Sequence, residues 1–243
     1  VARAKNVIAA VAAHTRMARK TSVGAFLWLV MVGFLLGSSV WFEAYIQTFN
    51  PRGGWPWVSD QGWDHLIDEI LGLGTVIGIT ALIIIRQRNM RRGLNRFEGS
   101  DRKSAYFVET VVLLEGLGMM FVKAGKLSLQ AADGEHFHWS TDFVTGPLAT
   151  PLPANELMVS IFALVKLLTG MIWLYVVGRN ITWGVAWHRF AAFFNIYFKR
   201  EADGRTALGA LKPMTMDGQA LTMAKIEELT EADESFEPIL GVG

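Results

Sequence analysis

Residues 22 to 49 read SVGAFLWLVMVGFLLGSSVWFEAYIQTF and carry a single formal charge, Glu43. A helix rises about 1.5 Å per residue, and about 20 apolar residues cross the hydrocarbon of a bilayer. The run is therefore long enough to span a membrane with residues to spare. Lipid offers no partner to backbone N–H and C=O groups, so a single spanning segment must satisfy them internally as a helix. Composition points the same way. The 243 residues are 51% hydrophobic and include nine tryptophans, with a mean hydropathy of +0.30, too apolar for an ordinary soluble domain.

Working outward, three further runs have the same character: about 64–87, 104–128 and 155–183. The expected fold class is all-α, an integral membrane helical bundle of four transmembrane helices occupying residues 21–200. Residues 1–20 read as an interfacial amphipathic helix, with Val7, Ile8, Val11 and Ala12 on one side. A second interfacial helix is expected to run on from the fourth span through His188 to Phe198. Residues 201–243 hold nine acids against three bases and read as an acidic linker with a weak helix around TMAKIEELTEA. A start at Val1 and a loose end at SFEPILGVG suggest a piece of a longer chain.

Basic residues set the orientation, because cytoplasmic loops retain Lys and Arg. Five precede the first span and seven lie between Arg86 and Lys103, whereas the other two loops are nearly bare. Both ends are thus expected in the cytoplasm. The outer loops carry GGWPWVSDQGW and FHWSTDFVTGPLATPLP, rich in the Trp and Pro that suit headgroup depth. A net charge of +1 excludes a strongly basic nucleic-acid binder. With no cysteine, these residues supply no disulfide, thiolate zinc site, iron–sulfur cluster or thiol nucleophile.

Ionisable residues inside the spans are the strongest functional signal, since each is costly in lipid unless paired or facing water. Glu115 and Lys166 each lie eleven residues from the start of their spans, which places both near mid-membrane and predicts an ion pair. Glu43, Asp68 and Glu69 share a depth nearer the outside and form a predicted acidic cluster with Lys123. Glu109 is expected near the inner face, within reach of Arg179. Such acids read either as helix glue, the favoured reading, or as a proton path beside a quinone. The strings GLGTVIG and EGLGMM read as close-packing positions. Phe190, Phe193, Phe194, Tyr197 and Phe198 recur at helical spacing, an interfacial apolar face first and a quinone surface second.

A pair of imidazoles could clamp a b-type haem if they shared a depth. His65 lies at the outer end of the second span and His188 at the inner end of the fourth, about 30 Å apart, so they cannot share an iron. At the outer level His65 could meet only His136 or His138; at the inner level His188 could meet only His14. His65 and His188 are weak haem candidates, and haem b is not expected. The pair His136 and His138 reads as a solvated loop rather than a metal site.

The runs WFEAYIQTFNP, RFEGS and WHRFAAFFNIYFKREADGRTALGALKPM together resemble the membrane domain of actinobacterial iron–sulfur-binding reductases. These are similar to heterodisulfide reductase subunits and include electron transfer flavoprotein:menaquinone oxidoreductases, with a membrane domain like the nitrate reductase gamma subunit. The resemblance covers essentially the whole chain, and F-x-x-x-x-N-I-x-F-K-R is its most specific part. It implies electrons passing from a soluble flavoprotein, through iron–sulfur clusters in a cytoplasmic domain or partner outside this chain, to menaquinone. A quinone site at the inner face would then use His188, Phe190, Phe194, Arg179 and Glu109. The haem-ligand histidines of the family match about Leu27, Gly170, Trp183 and Ala186 here, so haem ligation is not carried over. The alternative is a redox-inactive anchor or assembly subunit of a respiratory-type complex.

Overall fold

The computed structural model describes residues 2–11, 13, 21–59, 61–93 and 101–199, with short pieces at 215–216, 219–220, 224, 227–228 and 231. The chain divides into two compact units, Val1–Phe198 and Lys199–Gly243. Among the described residues of the first, the regular elements are all helices: α1 (Ala2–Val11), α2 (Thr21–Phe49), α3 (Gly62–Arg91), α4 (Arg102–Ala132), α5 (Thr145–Ala149), α6 (Glu156–Arg179) and α7 (Gly184–Tyr197). In the second, β1 (Thr215–Met216) pairs antiparallel with β2 (Gln219–Ala220). The rest of the predicted acidic linker, most of its weak helix, His14 and the RFEGS stretch lie outside the described residues.

Four helices, α2, α3, α4 and α6, are long and apolar enough to cross a membrane. They form an integral membrane bundle in which α2 packs on α3 and α6, and α4 packs on the same two. Their ends are set by local chemistry. Asp101 caps α4 by accepting from the Lys103 and Ser104 amides at 3.0 and 3.1 Å, and Asn155 caps α6 through the Met158 amide. Gly93, just beyond α3, adopts φ +66°, a left-handed conformation that suits glycine after a helix C-terminus. One end of the bundle carries the long α2–α3 and α4–α6 connections; we call it the loop end. Arg52 ties it together, pairing with Asp133 after α4 and, at 2.7 Å, with Glu156 opening α6. The other is the basic end.

Two departures from sequence expectation have clear causes. The fourth span stops at Arg179, where the Asn180 side chain turns back onto the Val176 carbonyl at 2.7 Å and a turn follows. α7 is therefore a separate helix rather than a continuation. It packs against α1, with Arg3 donating to the Tyr197 carbonyl at 2.8 Å. Within α1, Val7 is the buried residue and Ile8 points outward, 64% exposed. The connection between α4 and α6 also folds one turn, α5, against α4.

The core is layered. Val30, Ile79, Val108, Val112, Trp173 and Val177 fill the basic end, and Val122, Leu129, Val159 and Ala163 fill the loop end between α4 and α6. Outward faces stay apolar: Leu36, Ile70, Ile77, Leu164, Leu168 and Ile172 are all exposed. A water-soluble bundle does not show such continuous apolar faces; these face lipid.

Candidate functional site

Halfway along the bundle the helices part around an apolar cavity of about 300 Å³. α2 supplies Gly33, Gly37 and Trp41, α4 supplies Glu115 and Met119, α6 supplies Trp173, and Phe190 reaches in from α7. Glycines at the lining let neighbouring side chains pack close: Thr75 lies against Gly33 and Gly116, and of the lining glycines only Gly37 would give a Cβ an ordinary contact, 3.6 Å to Met119. A Cβ at Gly170 would collide with the Trp41 indole nitrogen. The aromatic walls are braced, Phe34 meeting Trp173 edge-on at 5.6 Å and Trp41 meeting Tyr45 at 5.5 Å.

Three of its lining residues carry a buried polar atom with no hydrogen-bond partner in the protein: Glu115 Oε1, Trp41 Nε1 and Thr75 Oγ1. Trp41 Nε1 packs against Gly170 and Thr75 Oγ1 against Gly33, which leaves Glu115 as the ionisable residue of an otherwise apolar lining. The volume sits at the low end of small-ligand pockets, about 300–1,000 Å³. Its lining suits a flat apolar ring, which the aromatic side chains could enclose and the Glu115 carboxyl could approach. It does not suit a bis-imidazole haem, because no lining residue is a histidine.

Towards the loop end lies a buried ionic cluster. Lys123 Nζ makes 3.0 Å ion pairs with Glu69 and Asp142 and donates to the His65 and Thr141 carbonyls at 2.6 and 2.8 Å. Glu69 in turn accepts the Val144 and Thr145 amides and the Thr145 hydroxyl, thereby holding the first turn of α5. Burial pushes the Asp142 carboxyl up, but Lys123, the His138 amide and the Thr141 hydroxyl outweigh it and hold the group below the usual carboxylate range. Glu43 accepts a hydrogen bond from Ser59 at 2.7 Å. Together with Asp68 it lines a second, small polar cavity that also contains Lys166.

The structure thus brings Glu43, Asp68, Glu69 and Lys123 to one level, and it adds Asp142 and Thr145, which sequence reading missed. Their sequence separation from Glu69, 76 residues for Thr145, carries no signal of depth. Glu115 and Lys166 are neighbours in the bundle, but the expected direct ion pair is not formed. Lys166 Nζ turns instead to the Val40 carbonyl at 2.9 Å, and Glu115 faces the apolar cavity. Glu109 pairs with Arg86 at 2.7 Å rather than with Arg179, because α3, not α6, presents a cation to that face of α4.

Of the residues predicted at an inner quinone face, only Phe190 lines the mid-bundle cavity. α7 turns Ala186 and Trp187 into the basic-end core, and Trp183, just before it, meets Phe107 at 5.9 Å. Phe190 is 45% exposed while lining the cavity, and His188 and Phe194 are exposed. His188 Nδ1 donates to the Gly184 carbonyl of its own helix at 2.8 Å. His65 Nδ1 lies 3.5 Å from Asp142 at the opposite end of the bundle. No group of three or more His, Cys, Asp or Glu side chains able to hold a metal ion occurs among the described residues. Comparison with family models, with curated proteins and with solved structures gave no match to this chain.

Proposed function

We propose that this chain is the quinone-binding membrane domain of an iron–sulfur oxidoreductase that passes electrons from a soluble flavoprotein or similar donor to menaquinone. The observation that carries the reading is the mid-bundle cavity, apolar and aromatic, with the ionisable Glu115 in its lining. The likeness of WFEAYIQTFNP and the stretch following Trp187 to nitrate reductase gamma-like membrane domains supports the same reading. A quinone bound there would accept electrons and take up protons. Phe34, Trp41, Trp173 and Phe190 would enclose its ring, and Glu115 would hold a proton beside it. The iron–sulfur clusters belong to a domain or partner outside this chain. In the proposed orientation both ends of the membrane unit face the bacterial cytoplasm, as the basic residues favour.

The reading is tested by titrating the reconstituted chain with a short-tailed menaquinone analogue and following tryptophan fluorescence. Saturable quenching is expected. Glu115→Gln should weaken it about tenfold, the loss of roughly one good hydrogen bond. Quenching that rises linearly, as simple partition into lipid would give, would overturn it. That result would favour the second reading, a redox-inactive anchor. Gly170 supports that alternative, because it stands where the related proteins are expected to carry a haem histidine and the Trp41 indole packs against it.

A further inference from the structure

The second cavity is small, about 60 Å³, but its wall is charged and polar. A polar space of that size holds a few waters. It adjoins the apolar cavity, and Met119 lines both. Lys166 stands at the junction. Its Cβ and Cγ would lie 3.0 and 3.1 Å from a Cβ at Gly118, three residues along α4 from Glu115 and so on the same side of that helix. The residue is 1% exposed. The ammonium has three donors, and one goes to the Val40 carbonyl.

Other groups face the chamber from every element around it. From α2 come Glu43 and Gln47, the latter 4% exposed with its side-chain oxygen buried and without a partner. From α3 come Asp64, His65 and Asp68; from α4, Lys123 and Lys126; and Arg52 reaches in from the α2–α3 loop. Lys123 is held by Glu69 and Asp142, and Arg52 by Asp133 and Glu156. Lys126 donates to the Gly53 carbonyl. Glu43, Asp64 and Asp68 are therefore the carboxylates that share the chamber with Lys166.

We propose that this chamber is a hydrated proton-access path to Glu115, entered at the loop end beside Asp64, running past Asp68 and Glu43, and completed by Lys166. In the last step the Lys166 ammonium swings from the Val40 carbonyl and gives one proton to the Glu115 carboxylate, leaving an amine and a carboxylic acid. The amine then takes up one proton relayed through the chamber from the medium at the loop end. The net change is one proton taken from the medium, and no electron moves. The path rests on the quinone reading for its purpose, since Glu115 lies in the proposed quinone cavity, yet it is a property of the ligand-free protein and is tested there.

The test is a pH-jump measurement on the full chain in lipid nanodiscs without quinone, following the infrared band of protonated Glu115, assigned by its loss in Glu115→Gln. Lys166→Met and Asp68→Asn should each slow protonation by about 100-fold, the scale of losing a positioned proton donor. Lys103→Gln, exposed at the basic end, should leave the rate unchanged. Near-ultraviolet circular dichroism identifies the folded variants, and if Lys166→Met fails that check, Asp68→Asn decides. A wild-type rate in either folded variant would overturn the path, as would slowing by Lys103→Gln. Failure of quinone binding in the fluorescence titration would leave these rates as they are, so the two proposals fall separately.

Discussion

Lys123 shows how a single side chain organises the loop end. It is 8% exposed and holds two buried carboxylates from different parts of the chain, Glu69 on α3 and Asp142 in the connection before α5. Removing one member of a buried ion cluster leaves uncompensated charge and costs about 3–5 kcal/mol. Lys123→Met should therefore lower the thermal unfolding midpoint in detergent sharply. Adding Glu69→Gln and Asp142→Asn to it should recover part of the loss. Asp142 also makes a pH prediction. A carboxyl held below its ordinary value near pH 4 stabilises the fold above that pH, and the contribution is lost as pH falls through the depressed folded value. The stability gap between the wild type and Asp142→Asn should be constant from neutrality to about pH 4 and narrow in stronger acid. A gap unchanged throughout acid titration would contradict the assignment.

At the scale of helices, glycine positions separate tight crossings from open ones. A Cβ at Gly78 would lie 3.0 Å from both the Phe26 carbonyl oxygen and Val30 on α2, whereas one at Gly74 would make an ordinary 3.5 Å contact with Leu29. Gly78→Ala should destabilise the bundle by about 1–3 kcal/mol. Gly74→Ala should be neutral or stabilising by up to about 1 kcal/mol, because alanine is the better helix former. Equal effects, read from unfolding in detergent, would argue against so close an α2–α3 crossing at Gly78. The spans themselves were legible because long apolar runs have one solution in lipid, and the depth of Glu43, Asp68 and Glu69 followed from counting residues. Counting gives depth but not azimuth. It therefore could not show that Glu109 turns to Arg86, that Lys166 turns to Val40, or that α7 packs Ala186 and Trp187 into the core. The cavity was equally hidden, because its lining is drawn from α2, α3, α4, α6 and α7, and no one segment carries that pattern.

For the molecule as a whole, the absence of native cysteine makes topology directly measurable. Single substitutions Trp139→Cys, in the exposed loop before α5, and Arg91→Cys, at the end of α3, place one thiol at each end of the bundle. In intact cells an impermeant maleimide should label the first and reach the second only after permeabilisation; the reverse pattern would overturn the orientation. The central claim, that the mid-bundle cavity receives a quinone from the bilayer, is met most directly by photolabelling the reconstituted chain with an azido-menaquinone and mapping the modified peptides. Labels on Trp41, Met119 or Trp173, suppressed by excess menaquinone, are the expected result. Labels confined to the outward residues Phe193, Phe194 and Phe198 of the α7 region, or insensitive to competitor, would contradict it.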